Sequence, residues 1–118
     1  MNANARYDLI IEYNNRLYKV QVKTTNTIKD NEKMIFATKT TNYTKGNWKS
    51  NGYSSNEIDF FFLYCLENDW CGLYFGEPDG SFITELTIRT MPPKKANPKA
   101  RPMQDYEFNK QFEKLILN

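Results

Sequence analysis

Residues 7–13, "YDLIIEY", alternate between Tyr7, Leu9, Ile11 and Tyr13 on one side and Asp8, Ile10 and Glu12 on the other. That period of two is the spacing of a half-buried strand. Residues 16–24 repeat it, with Tyr18, Val20 and Val22 against Leu17, Lys19, Gln21 and Lys23. Asn14 and Asn15 between them suit a tight turn that needs positive φ, so the two stretches predict a β-hairpin. If the asparagines alone form the turn, Tyr13 faces Arg16, and counting back sets Asp8 directly opposite Gln21 with Lys23 on the same side.

Further along, "KMIFATK" at 33–39 predicts a third strand, reached through a polar turn around Asp30 and Asn31. Residues 39–56 are Thr, Tyr, Asn, Lys, Gly and Ser with one Trp, a composition that predicts an extended surface loop. "DFFFLYCL" and "CGLYFG" predict buried strands, and "SFITELTIRT" another after a turn at Pro78, Asp79 and Gly80. Residues 92–102 are rich in proline and lysine and predict an irregular connector. The spacing of Tyr106, Phe108, Phe112, Leu115 and Ile116 predicts a final helix over 105–117. The expected class is α+β: a mixed sheet of five or six strands with few helices, in one domain spanning 1–118.

Composition adds exclusions. There is no histidine among the 118 residues, which removes Ser-His-Asp and Cys-His catalysis and histidine-ligated metals together. The longest apolar run, "IDFFFLYCL", is too short to cross a bilayer, so no membrane association is expected. Two cysteines, Cys65 and Cys71, without a secretory leader point to reduced thiols in the cytoplasm, with Cys65 on a buried strand. The net charge of +2 is small but unevenly spread. Residues 33–56 and 86–103 carry lysines and arginines without acids, and residues 57–85 carry seven acids without a base.

Two kinds of chemistry follow. Facing residues in an antiparallel pair have Cβ atoms about 5 Å apart, close enough for the Asp8 carboxylate and the Gln21 amide to share a divalent cation. Lys23, one step along, would then supply positive charge to a phosphodiester transition state. A plain solvated face has the same pattern, with Glu12 and Lys19 as a surface ion pair. In 39–53, Lys39, Lys45 and Lys49 interleave with Tyr43, Trp48 and Tyr53, which suits phosphate neutralisation and base stacking. Folding of Trp48 and Tyr53 onto the core is the alternative. Lys94, Lys95, Lys99 and Arg101 form a second basic segment, a backbone contact or a solvated linker. Asp59 opens an apolar strand, as a structural cap or as a site residue.

"RYDLIIEYNNRLYKVQVKT" also resembles the core of the PD-(D/E)xK nuclease superfamily, in the branch that contains the cyanobacterial group I intron homing endonuclease. There an aspartate follows "RY" and glutamine replaces the usual acid, giving "QVK" on the next strand. The similarity continues through "YSSNEIDFFFLYCLEN" to a basic, proline-containing tail and "YEF", nearly the whole chain. It implies a restriction-endonuclease-like fold and hydrolysis of DNA with Mg²⁺ or Mn²⁺. Asp8, Gln21 and the Val22 carbonyl would be at the metal and Lys23 at the attacking water, often in a homo-oligomer. It also implies a glutamate-bearing helix ahead of "RYD". Only seven residues precede Asp8. The expectation is therefore a site with one sure carboxylate, to which Glu12 or Glu107 adds a second, or whose metal is weakly held or lost. An apolar sheet surface would be left for a second copy or a partner protein. The alternative function is a catalytically silent descendant, carried by a phage or mobile element, that binds DNA or inhibits a host protein.

Overall fold

The computed structural model describes residues 7–44, 46–53, 56–93 and 95–116. Its elements run β1 (Leu9–Tyr13), β2 (Arg16–Thr25), β3 (Lys33–Ala37), β4 (Lys39–Thr44), β5 (Asn47–Gly52), β6 (Phe60–Cys65), β7 (Trp70–Tyr74), β8 (Glu85–Arg89), α1 (Met103–Tyr106) and α2 (Phe108–Ile116). The first hairpin forms as its alternation requires, with Tyr13 facing Arg16 and Leu9 facing Val20. Asn14 and Asn15 take φ of 52° and 63°, the left-handed pair of a two-residue hairpin turn, which asparagine tolerates better than most residues. Asp30 and Asn31 turn the chain in the same way, at 54° and 57°.

β2 continues the hairpin into a four-stranded sheet of order β1-β2-β6-β7. β6 lies parallel to β2, from Val20 beside Phe60 to Thr25 beside Cys65, and β7 returns antiparallel to β6. The sequence of β6, "FFFLYC", is apolar on both sides because both of its faces are covered. One face carries Tyr18, Val20, Phe60 and Leu73 under Leu115 of α2. The other carries Phe61, Leu63 and Tyr74 against Met34 and Phe36 of β3 and Leu86 and Ile88 of β8. The fold is thus α+β, a mixed sheet between a short helix and a two-stranded antiparallel pair, β3–β8.

Two elements differ from expectation. The loop over 39–56 contains a two-stranded antiparallel ribbon, β4–β5, running from Lys39 opposite Gly52 to Thr44 opposite Asn47. Its strands lack an apolar stripe, so the alternation that reveals core strands is missing; the turn is carried by Gly46 at φ 80°. The final helix is in two pieces, broken at Glu107 (φ −55°, ψ 139°), whose backbone bridges to Gly72 in β7. Gly72 permits that approach: a Cβ there would stand 2.3 Å from both the Trp70 ring and the Tyr106 carbonyl.

Both cysteines are free thiols. Cys65 faces Trp70 across the β6–β7 ladder, so Cys71, the next residue, points to the opposite side of the sheet. No helix among the described residues is long and apolar enough to cross a membrane.

Candidate active site

Asp8 stands where β1 leaves the ladder. The chain bends there, and the Asp8 N–H donates to the Val20 carbonyl at 2.9 Å. The Asp8 carboxylate then takes the place of a backbone acceptor, receiving the Val22 N–H on Oδ2 at 2.9 Å. The regular register therefore ends at Leu9 and Val20. The carboxylate sits at the open edge of β2, beside the Gln21–Val22 peptide, instead of squarely over Gln21. In an antiparallel ladder a residue's N–H and C=O point to the same neighbour, so the Val22 carbonyl is directed to the Asp8 side as well. Lys19 shows the opposite parity: its N–H donates to Asp59 Oδ2 at 2.8 Å and its C=O accepts from the Asp59 N–H at 2.7 Å. Asp59 thus fixes the start of the parallel β2–β6 pair, a structural role.

Gln21 and Lys23 fall on the face that also carries Phe61 and Leu63. The Lys23 ammonium donates to the Lys39 carbonyl at 3.3 Å and lies 5.6 Å from the centre of the Tyr53 ring. Tyr53 is itself buried, edge-on to Phe61 at 5.3 Å. The root of the β4–β5 ribbon therefore holds the lysine from both its strands, the Lys39 side and the Tyr53 side. Local pattern does not reveal this, because the contacts join residues far apart in sequence. Of the two places open to Tyr53, a stacking surface or the core, it takes the core, and its ring lies beside the Lys23 ammonium.

The Asp8 carboxylate lies at the β2 edge on the Val22 N–H, with Gln21 the preceding residue of the strand, so the candidate donors here are oxygens. They suit a hard divalent cation that keeps waters and completes its shell with substrate oxygens. Glu12 is four residues from Asp8 along β1, about 13 Å away, and does not add to this set. Glu107 bridges to β7, three strand spacings or about 14 Å from the β1 edge, and does not add to it either. Among the described residues no three acidic or thiol side chains come together.

The basic segments part company. The ribbon leaves β3 at its Ala37 end, beside Lys23, whereas the segment after β8 starts beside Lys33 at the other end of the β3–β8 pair. Lys95 and Lys99 are exposed there. Arg101 is turned inward, forked onto both carboxylate oxygens of Glu77 and donating to the Tyr106 hydroxyl at 2.8 Å; the Glu77 hydrogen bonds raise its pKa further. Tyr43, Trp48 and Lys49 lie on the ribbon. Lys45 and Lys94 lie outside the described residues.

The sequence profile of the PD-(D/E)XK endonucleases matches residues 1–109. The chain belongs to the PD-(D/E)XK endonuclease family. Members of this family generally use divalent metal ions, in keeping with the oxygen donors at the β2 edge. Among solved structures the chain is similar to a bacterial homing endonuclease, I-Ssp6803I, with a TM-score of 0.68 and 23% identity over 99% of this chain and 75% of that one. That likeness establishes the restriction-endonuclease-like fold. No curated protein sequence matches.

Proposed function

We propose that this PD-(D/E)XK chain, acting as one domain over 1–118, is a DNA endonuclease that hydrolyses phosphodiester bonds with Mg²⁺ or Mn²⁺. The observation that carries the reading is the Asp8 carboxylate anchored on the Val22 N–H, beside Gln21 and one alternation from Lys23. Asp8, Gln21 and the Val22 carbonyl would hold the cation. Bound there, a divalent ion polarises the phosphodiester and lowers the pKa of a coordinated water. Asp8 keeps one carboxylate oxygen for this while the other is fixed by the strand, so the donor is oriented before DNA arrives. Lys23 brings its ammonium to the scissile phosphate and orients the attacking water, and its hold on Lys39 and Tyr53 limits the positions it can take. Lys39, Tyr43, Trp48 and Lys49 on the ribbon, with Lys45, Lys94, Lys95 and Lys99, are the proposed contacts to nucleic acid. Tyr53 and Arg101, turned inward, act instead by fixing their neighbours.

The test is cleavage of supercoiled, branched and single-stranded DNA with Mg²⁺ or Mn²⁺. Wild type should cut, and Lys23→Ala should be slower by about a hundredfold or more. Intact DNA with wild type, or equal cutting by Lys23→Ala, sinks the reading. A specific observation favours a second reading, a silent descendant that binds DNA or inhibits a host protein: the described site has one carboxylate. Calorimetry distinguishes the two, since absence of Mn²⁺ binding in the presence of DNA supports the silent form.

The free thiols suit a reducing, cytoplasmic setting. A cleft of about 390 Å³, lined by Leu9, Ile11, Val22, Phe62 and Phe112 among others, is the surface a second copy or partner protein would cover. A monomeric mass by sedimentation at micromolar concentration would count against a homo-oligomer.

A further inference from the structure

Among the described residues the β4–β5 ribbon pairs with no other strand, and its two six-residue strands make an arm about 20 Å long. Its root is fixed. Buried Thr38 donates its N–H to the Thr84 carbonyl at 3.0 Å and its hydroxyl to the Ile83 carbonyl, Lys39 accepts from Lys23, and Tyr53 is packed on Phe61. The register sorts the ribbon positions into two unlike faces. Thr40, Asn42, Thr44, Asn47, Lys49 and Asn51 share one; Thr41, Tyr43, Trp48 and Ser50 share the other. Every residue type on the first face offers hydrogen bonds, and both aromatics fall on the second. No acid occurs anywhere in residues 33–56.

A two-stranded β-ribbon has the width to enter the major groove of B-form DNA, where base edges expose distinct donor and acceptor patterns. Asparagine pairs with two atoms of adenine, lysine reaches the guanine acceptors, and threonine combines a hydroxyl with a methyl that meets thymine. A lack of acids keeps the potential favourable along the whole arm. We infer that the β4–β5 ribbon lies in the major groove of duplex DNA with its Asn42, Asn51 and Lys49 face toward the base edges, and selects the sequence presented to Lys23. The inference rests on DNA being the substrate and assigns to the ribbon the choice of where that DNA is engaged. The anchoring of the ribbon root on Lys23 ties the two: the element that reads sequence is held to the residue assigned to the chemistry.

Selection from a randomised duplex pool by the full chain, in EDTA so that binding is read without cleavage, tests this. Wild type should enrich a motif, and the double variant Asn42→Ala/Asn51→Ala should lose its preference for that motif over a scrambled duplex by about tenfold or more. Its affinity for the scrambled duplex should change by less than about threefold, since phosphate contacts carry that binding. Thr41→Ala/Ser50→Ala, on the other face, should keep the wild-type motif and controls for folding of the arm. An unchanged motif in the first variant, equal weakening on both duplexes, loss of the motif in the second variant, or no motif for wild type would each overturn the inference. The nuclease reading fails separately. If plasmid stays intact with metal while the Asn42/Asn51 variant loses its preference, the ribbon inference stands and the nuclease reading falls.

Discussion

Asp8 anchors the Val22 N–H and, in the proposed function, holds the cation; the two roles separate on substitution. Asp8→Asn keeps an oxygen for the Val22 N–H, so its stability should stay within about 0.5 kcal/mol of wild type, while cleavage falls by about a hundredfold or more. Asp8→Ala loses both, and urea denaturation should show a further cost of about 1 kcal/mol. Equal activity in Asp8→Asn would remove the carboxylate from the chemistry. Gly72 is a second single-residue constraint. Gly72→Ala would push a methyl into the Trp70 ring and the Tyr106 carbonyl, and should destabilise by about 1–3 kcal/mol without touching the β2 edge. Asp79 gives a pH signature: the Ser81 hydroxyl and N–H both donate to its Oδ1, at 2.6 and 2.9 Å, and hold its carboxyl below the ordinary range. A lowered carboxyl pKa stabilises the fold above the unfolded value and ceases to as pH falls through the folded one. The melting-temperature gap between wild type and Ser81→Ala should therefore be present at neutral pH and close below about pH 4.

The hairpin of β1 and β2 was legible because everything that forms it is local: period-two alternation and two asparagines able to adopt positive φ. Replacing the second asparagine by glycine, Asn15→Gly, relieves the cost of its φ of 63° and should add about 0.5 kcal/mol of stability in thermal or denaturant unfolding, with cleavage unchanged. A loss would mean that Asn15 is held by more than its backbone. The ribbon was hidden because its sequence shows no alternation of apolar with polar residues. The broken helix was hidden for another reason. Apolar spacing from Tyr106 to Ile116 is nearly continuous, and the interruption at Glu107 is imposed by the docking of that backbone on Gly72, a contact made across the fold. The same holds at the site: Asp8, Gln21 and Lys23 lie within one hairpin and could be grouped from sequence, whereas the Lys39 carbonyl and Tyr53 around Lys23 reach it only through the tertiary structure.

Across the whole molecule, charge is divided as the chain is. The basic stretches 33–56 and 86–103 leave opposite ends of the β3–β8 pair, and the acidic stretch 57–85 includes Glu77, which neutralises Arg101, and Asp59, which fixes the β2–β6 start. The ribbon, without acids, is rooted beside Lys23, where the proposed function has DNA engaged. Reducing agents should leave the melting temperature unchanged, since Cys65 and Cys71 point to opposite sides of the sheet. The most direct measurement is conversion of supercoiled plasmid by the purified chain, with and without Mg²⁺ or Mn²⁺, for wild type beside Lys23→Ala. Metal-dependent nicking or linearisation by wild type, slowed about a hundredfold or more in Lys23→Ala, is the predicted result. Plasmid left intact by wild type, or cut equally by both proteins, would contradict it.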